Sequence, residues 1–395
     1  MKTIATHSGE NSIKVFAETF EGDAYEQVKL LANYPPYINE KIRIMPDAHA
    51  GIGCTVGTTM TITNAVTPNL VGVDIGCGML VTKLEDMDID FAKLDSVIRG
   101  NIPSGFDIHD EPVSPVSFDG LLCAKHVDLS RALLSLGSLG GGNHFIEIDY
   151  SEKDRCNYLV IHSGSRNLGV QVCKYYQNKA ITKLCGMNEL RKELIVRLKQ
   201  EGRDKEINSE LKKLQKPQIN EELAHLEGED MKAYLHDMAI VQKYAALNRS
   251  TMANLIINKM SFKACSKFDT IHNYIDFKRM ILRKGSVSAE SGETLIIPLN
   301  MRDGSLICIG KGNPDWNYSA PHGAGRLMSR SKAKETIGME EFKNSMEGIY
   351  TTSVCPGTID EAPQAYKSSE EIERAISDTV DIQDIIKPVY NFKAV

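Results

Sequence analysis

Apolar and polar residues alternate over short runs through the first 180 residues, a period-two pattern that predicts strands, with glycines closing most runs. Residues 54–63 and 78–85, rich in Val, Thr, Leu and Met, predict two strands. Residues 158–162 predict a short buried one, and Phe145-Ile146-Glu147-Ile148 alternates like a third. A helix over 23–33 interrupts this series. From Asn178 to about Met260 the pattern turns helical. Residues 190–215 are charged and helix-forming up to Pro217, and 221–260 continue as one or more helices carrying Leu223, Leu226, Met231, Leu235, Met238 and Val241. Strands return at 270–277, 280–288, 294–298 and 306–310. Helices are expected to close the chain, one of them opening on the capping-box pattern Ser368-x-x-Glu371. With no internal repeat or low-complexity tract, residues 1–395 read as one compact unit. Its class is α/β of the α+β type, with mixed sheets and an inserted helical arm at about 190–260.

Composition adds limits. The 395 residues are 42% hydrophobic and 25% charged, ordinary values for a soluble globular chain with a large core. A net charge of −6 argues against holding a polyanion by bulk electrostatics, while leaving room for a local basic groove. Residues 1–7 lack the apolar stretch of a secretory leader, and no apolar run reaches the ~18 residues that span a bilayer. No membrane association and a cytoplasmic location are therefore expected. Nine cysteines without a CxxC pair fit a reducing compartment, most of them as small core residues. Cys77 differs, because it lies between two glycines, three residues after Asp74.

Several short segments pair glycine turns with metal-ligating side chains. They are Asp74-Ile75-Gly76-Cys77-Gly78, Gly140-Gly141-Gly142-Asn143-His144, His162-Ser163-Gly164-Ser165-Arg166, Ile271-His272-Asn273 and Pro321-His322-Gly323-Ala324-Gly325-Arg326. A lone histidine in a strand is ordinarily a hydrogen-bonded core residue, and each of these has that reading. Together, Asp74, Cys77, His144, His162 and His272 offer one carboxylate, one thiolate and three imidazoles, a set suited to Mn²⁺, Zn²⁺, Co²⁺ or Fe²⁺. Five donors exceed one open tetrahedral site, so two ions sharing the thiolate fit better.

For phosphate there is no GxxxxGK[ST] loop and no dinucleotide fingerprint in a strand-turn-helix setting. The chain has instead 163–166, Asn248-Arg249, Arg283-Lys284-Gly285-Ser286 and Gly310-Lys311-Gly312-Asn313, each a weak signal alone. His322 follows a proline and precedes small residues, with a helix expected from Arg326. It is placed to attack phosphorus, or is an inert helix-start residue. Neither Asp-Gly pair, Asp119-Gly120 nor Asp303-Gly304, belongs to a Lys-x-Asp-Gly motif, so histidine is the better candidate for a covalent nucleotide adduct.

Six segments in order, Met45-Pro46-Asp47-Ala48-His49-Ala50-Gly51, Val71 through Gly78, Gly140 through Glu147, His162 through Arg166, Arg283-Lys284-Gly285 and His322 through Arg326, resemble the RtcB family of RNA ligases over nearly the whole chain. The resemblance implies a GTP- and Mn²⁺-dependent ligase joining RNA 3′-phosphate or 2′,3′-cyclic phosphate ends to 5′-hydroxyl ends, in RNA repair or tRNA splicing. By that resemblance Asp74, Cys77 and His144 hold one Mn²⁺, and Cys77, His162 and His272 the second. His322 carries GMP, while Asn143, Phe145, Glu147, Gly323, Ala324, Gly325 and Lys393 line the GTP pocket. Arg166, Arg283 and Lys284 meet RNA phosphates, and Asp47 and His49 serve in opening the cyclic phosphate.

The arm, with Lys199, Arg203, Lys205, Lys212, Lys213 and Lys216, reads as a solvated hairpin or as an RNA-clamping or partner-binding projection. An activating protein partner is left unidentified. The chain departs from the family at Pro298-Leu299-Asn300-Met301-Arg302-Asp303, at Asn167, and at the residues following Lys393, positions that bear on substrate preference. Two alternatives stand beside the ligase: a metal-dependent RNA-end phosphoesterase or 3′-end capping enzyme that does not seal, and a non-catalytic RNA-binding protein.

Overall fold

A computed structural model describes residues 2–5, 12–18, 20, 22–214 and 217–394. Its largest sheet has eight strands. Seven follow one path, in the order Ala264–Ile271, Gly78–Leu84, Cys156–Ser163, Phe145–Ser151, Val380–Lys393, Gly304–Gly310 and Thr294–Asn300, all antiparallel. The eighth, Tyr350–Thr351, runs parallel to the C-terminal strand. A second sheet of six strands runs Lys2–Ala5, Ser12–Val15, Ile42–His49, Val56–Thr61, Ile281–Lys284 and Asn273–Asp276.

Both faces of the central strands are covered, and the sequence shows why. In Phe145–Ser151 the even positions Ile146 and Ile148 pack with Leu159 and Ile161 against Met252 and Ile256 of the long helix Gly228–Met260 and Leu94 and Ile98 of the helix Phe91–Asn101. The odd positions Phe145, Glu147 and Asp149 face the other way, where Phe145 joins Met79, Val160, Ile296 and Ile386. Such two-sided burial explains runs more apolar than strict alternation predicts.

The expected strands at 54–63, 78–85, 145–148, 158–162, 294–298 and 306–310 are present, as is the first helix, Asp23–Ala32. Ser368 caps the helix Ser369–Ile376, its hydroxyl accepting the Glu371 amide at 3.3 Å.

Four expectations change. The projection forecast across 190–260 divides: only Met187–Gln200 and Ile207–Lys213 form a charged hairpin. The helix Gly228–Met260 belongs to the core, burying Met231, Tyr234, Met238, Val241, Tyr244, Met252 and Ile256 around its circumference. The helical region begins earlier than Asn178, with the twenty-residue helix Arg166–Cys185. The chain closes on the fourteen-residue strand Val380–Lys393, whose Asp, Gln, Lys and Pro obscure the pattern on its exposed half. Finally, no helix starts at Arg326; the segment bends, Arg326 bridges to Tyr366, and a helix begins at Arg330 behind the Ser329 cap.

Within the hairpin, Arg203 is tied to Glu201 and Glu206, and Lys213 to Glu210, so acids offset much of its basic charge. Lys216 lies outside the described residues, as do residues 1, 6 and 7 of the amino-terminal segment. Among the described residues no helix is long and apolar enough to cross a membrane.

Candidate active site

Antiparallel pairing places alternate strand ends at one edge of a sheet, and here that edge collects the chemistry. Gly78 at the start of its strand pairs with Ser163 at the end of the next and with Ile271 at the end of the edge strand. His162 faces both Met79 and Phe145, and Phe145 in turn pairs with Lys393. Cys77, His144 and His162 are thereby brought together from residues far apart in sequence. His272 sits where the chain leaves the large sheet at Ile271 and enters the six-stranded sheet at Asn273, its amide donating to the Cys77 carbonyl at 2.9 Å.

The five donors form two groups that share Cys77: Asp74, Cys77 and His144, and Cys77, His162 and His272. Cys77 Sγ is 3.4 Å from His144 Nε2 and 3.3 Å from His162 Nε2. His144 Nε2 lies 3.2 Å from Asp74 Oδ2, and His162 Nε2 lies 3.4 Å from His272 Nε2. Ligands bonded at about 2.0–2.3 Å around a tetrahedral ion stand roughly 3.3–3.8 Å apart, so the set fits two ions with a bridging thiolate.

Electrostatics agree with that fit. Burial drives His162 and His272 well below the ordinary histidine range, leaving neutral imidazoles with lone pairs to offer. Burial is the largest single influence on Asp74 and opposes its ionisation, but the hydrogen bond and charge of His144, with Cys77 and His162, together outweigh it and hold the carboxyl at about 2. The Cys77 thiol is pushed well up by burial and by Asp74, so a thiolate there requires a cation.

Buried backbone-directed contacts hold these loops. Arg249, fully buried and paired with Asp269, donates to the carbonyls of Gly76 and Ser163, beside Cys77 and His162. Asn248 ties Gly137, Ser138, Ser163 and Gly164 together. These two residues, read from sequence as a phosphate loop, are the internal frame of the donor cluster.

His322 follows the short strand Ser319–Pro321 and lies against the second group, its ring centroid 4.9 Å from that of His272. Asp47, fully buried, receives both the His322 amide (3.1 Å) and Nδ1 (2.6 Å) on Oδ2. Accepting Nδ1–H fixes the tautomer and leaves the Nε2 lone pair as the reactive one. Gly325 (φ +76°) makes this approach possible, since a Cβ there would lie 2.6 Å from the Asp47 carbonyl oxygen. His49 Nδ1 is 3.0 Å from the same carbonyl.

One cavity joins these parts. Asn143, Phe145, Glu147, His162, Pro298 through Met301, His322 through Arg326, Tyr366 and Lys393 line it, with His49 at its wall. Every residue expected in the nucleotide pocket lines it, and Lys393, after which only two residues remain, is fully placed there. Its ammonium lies 2.8 Å from Glu361 and over the Phe145 ring.

Glu361, Tyr366 and Arg330 were not anticipated. Glu361 accepts from Lys393, Arg326, Arg330 and Tyr366, and although burial pushes its carboxyl up, Lys393 and Arg330 hold it at about 2. It stands in a 3-10 turn, Ile359–Glu361, with no motif to mark it. Glu147 is pushed to about 7 by burial, against the lowering effects of Lys393 and Asn391, whose amide it accepts.

The predicted RNA contacts fare differently. Arg283 is fully buried, held by Ser319, Tyr274, Asp276 and the Tyr318 carbonyl. Lys284 is buried on the carbonyls of Ile52 and Asn69. Both are committed to the fold and turned from the cavity. Lys311 of the 310–313 segment pairs with Asp381, also outside the cavity. Arg166 does reach the cluster: at φ +56° it heads its helix and donates to Ser138 Oγ and the Gly105 carbonyl. Gly140 (φ +96°) is pressed between this guanidinium and His144, for a Cβ there would lie 2.1 Å from Arg166 Nη1 and 2.5 Å from His144 Nδ1.

Comparison with known proteins gives a consistent set of relatives. The family model described as tRNA-splicing ligase RtcB matches residues 27–125 and 123–394. The RNA-splicing ligase RtcB of Escherichia coli K12 is 31% identical, over 92% of each chain. The tRNA-splicing ligase RtcB of Methanococcus maripaludis is 26% identical over 90% of this chain and 88% of its own, and that of Archaeoglobus fulgidus 26% over 90% and 87%.

Proposed function

Because the chain belongs to the RtcB family, we propose that it is an RNA ligase that joins 3′-phosphate or 2′,3′-cyclic phosphate ends to 5′-hydroxyl ends, using GTP and two Mn²⁺ ions. The observation that carries this reading is His322. It is a histidine with a fixed tautomer in a cavity that also holds Glu147 and Lys393, packed against a donor set for two ions. Asp74, Cys77 and His144 would hold one ion, and Cys77, His162 and His272 the other. Bound there, the ions would offset the negative charge of crowded phosphate oxygens.

In the proposed reaction a cyclic end is opened by water at its bond to the 2′ oxygen, leaving a 3′-phosphate. His322 Nε2 attacks the α-phosphorus of GTP; the N–P bond forms as the α–β bridging bond breaks and pyrophosphate leaves. An oxygen of the RNA 3′-phosphate then displaces His322 from phosphorus and takes the guanylate. The 5′-hydroxyl attacks the RNA phosphorus, loses its proton, and expels GMP. A 3′-phosphate has no leaving group of its own, which is why activation is needed. Glu147 is suited to accept the N1 and N2 hydrogens of guanine, and Lys393 to donate to its carbonyl. Cytoplasmic RNA repair or tRNA splicing is the setting we assign to this activity.

The test is joining of an RNA with 5′-hydroxyl and 2′,3′-cyclic phosphate ends, with GTP and Mn²⁺. Wild-type protein should give joined product and a GMP adduct by intact mass, and His322→Ala neither. Opened ends without joining or adduct would make the protein an end-processing phosphoesterase instead.

A pH dependence follows from Glu147. Its carboxyl, raised to about 7, is neutral below that value and loses an acceptor for guanine, so apparent GTP affinity should rise as pH increases through about 7. Glu147→Gln should lose that step and show weaker selection of GTP over ATP. An unchanged profile in the variant would assign the step to another group.

A further inference from the structure

Phe106 is 92% exposed, more than any other large apolar side chain of the described residues. It is not on a loose segment. The turn from Ser104 to Asp107 is closed by the Asp107 amide on the Ser104 carbonyl (3.1 Å), with Gly105 at φ +63°. The Gly105 amide donates to the Gly140 carbonyl at 2.9 Å, and the Gly105 carbonyl receives Arg166 Nη2 at 2.7 Å. Arg131 Nη2 donates to the Phe106 carbonyl at 2.9 Å. One turn therefore braces the glycine against which His144 packs, holds Arg166, and presents a bare phenyl ring one residue further on.

Arg166 uses Nε and Nη2 on Ser138 and Gly105 and has no protein acceptor on Nη1 among the described residues. That nitrogen points past Gly140 toward His144, on the side of the donor cluster occupied by Asp74 rather than by His322. In-line displacement at the RNA 3′-phosphorus puts the nucleophile opposite the departing guanylate. If guanylate occupies the His322 side, the strand on the Arg166 side is the one bearing the 5′-hydroxyl.

Resting on the ligase reading above, we propose that Phe106 is a stacking platform for the base of the terminal nucleotide of the 5′-hydroxyl RNA strand, whose adjoining phosphate is held by Arg166. Every base has a π-face, so such a platform accepts any 5′ nucleotide, as an end-joining enzyme requires. The exposed Asp107 beside it disfavours phosphate at that point and leaves the ring to the base.

Phe106→Trp supplies the test, because the single native tryptophan, Trp316, is buried at 2% exposure. A 5′-hydroxyl hexaribonucleotide should quench the new tryptophan. The same strand with an abasic first nucleotide should quench less and bind about 5- to 100-fold more weakly, the range expected for one base–aromatic stack. Phe106→Ala should raise the KM for the 5′-hydroxyl strand by a similar factor, while its GMP adduct yield from GTP alone reports that the fold and nucleotide pocket are intact. Equal binding of normal and abasic strands, or an unchanged KM in Phe106→Ala, would overturn the platform while leaving the ligase standing. Absence of RNA binding and of adduct in wild type would overturn the ligase reading, and the platform with it.

Discussion

Cys77→Ala is expected to lose both metal ions at once, and with them at least about 10³-fold in joining rate, since each ion supplies several kcal/mol of charge stabilisation. The expectation rests on stoichiometry. Sγ is the only donor atom common to the two groups, 3.4 Å from one imidazole of the first and 3.3 Å from one of the second. Asp74→Ala and His272→Ala each remove a donor from one group only, and should keep one ion with weakened affinity. Counting bound Mn²⁺ in the four proteins should therefore give two for wild type, one each for Asp74→Ala and His272→Ala, and none for Cys77→Ala. A Cys77→Ala protein that still holds two ions would show that the thiol does not bridge. The change should not unfold the chain, because Arg249 and Asn248 fix the surrounding loops through backbone carbonyls independent of the thiol.

How far the sequence reaches is seen in the same residues. His144, His162 and Cys77 are legible as candidate donors because each stands at a glycine-flanked strand end, and an antiparallel ladder carries such ends to a common edge. His272 was legible as a donor but not as the junction between two sheets, a matter of topology that no local pattern encodes. Arg283 and Lys284 were misread for a physical reason: a basic pair beside a glycine resembles a phosphate grip, yet both lie in a strand, Ile281–Lys284, buried on both sides. The same cause hid the core position of the helix Gly228–Met260, whose helical character the sequence does show. Its Glu229, Asp230, Lys232, Lys243 and Lys259 suggest a solvated arm, while buried residues around its circumference, including Asp237, Asn248 and Arg249, have their polar groups matched inside the fold. Glu361 had no signal at all. Its importance lies in four partners drawn from the strand end at Lys393 and the 326–366 segment, which only the folded chain brings together.

Asp47→Asn is expected to slow formation of the His322 adduct by about 10²–10⁴-fold, the scale seen when the carboxylate that orients a catalytic imidazole is made neutral. Asp47 Oδ2 accepts both Nδ1–H and the His322 amide, and so holds the ring in the tautomer whose lone pair is on Nε2. An asparagine amide can donate to Nδ1 as readily as accept from it, which moves the ring proton to Nε2 and removes the nucleophile. Family resemblance suggests a different task for this residue, with His49, in opening the cyclic phosphate, and the two roles separate cleanly. Asp47 is fully buried and its Oδ2 is already committed to His322. A positioning residue predicts a slow adduct from GTP alone, with no RNA present, and the same deficit when the RNA carries a preformed 3′-phosphate. Mn²⁺ stoichiometry should stay at two, because Asp47 belongs to neither donor group. If Asp47→Asn forms adduct at the wild-type rate and fails only on cyclic ends, the hydrogen bond to His322 is structural and the carboxylate acts on the RNA.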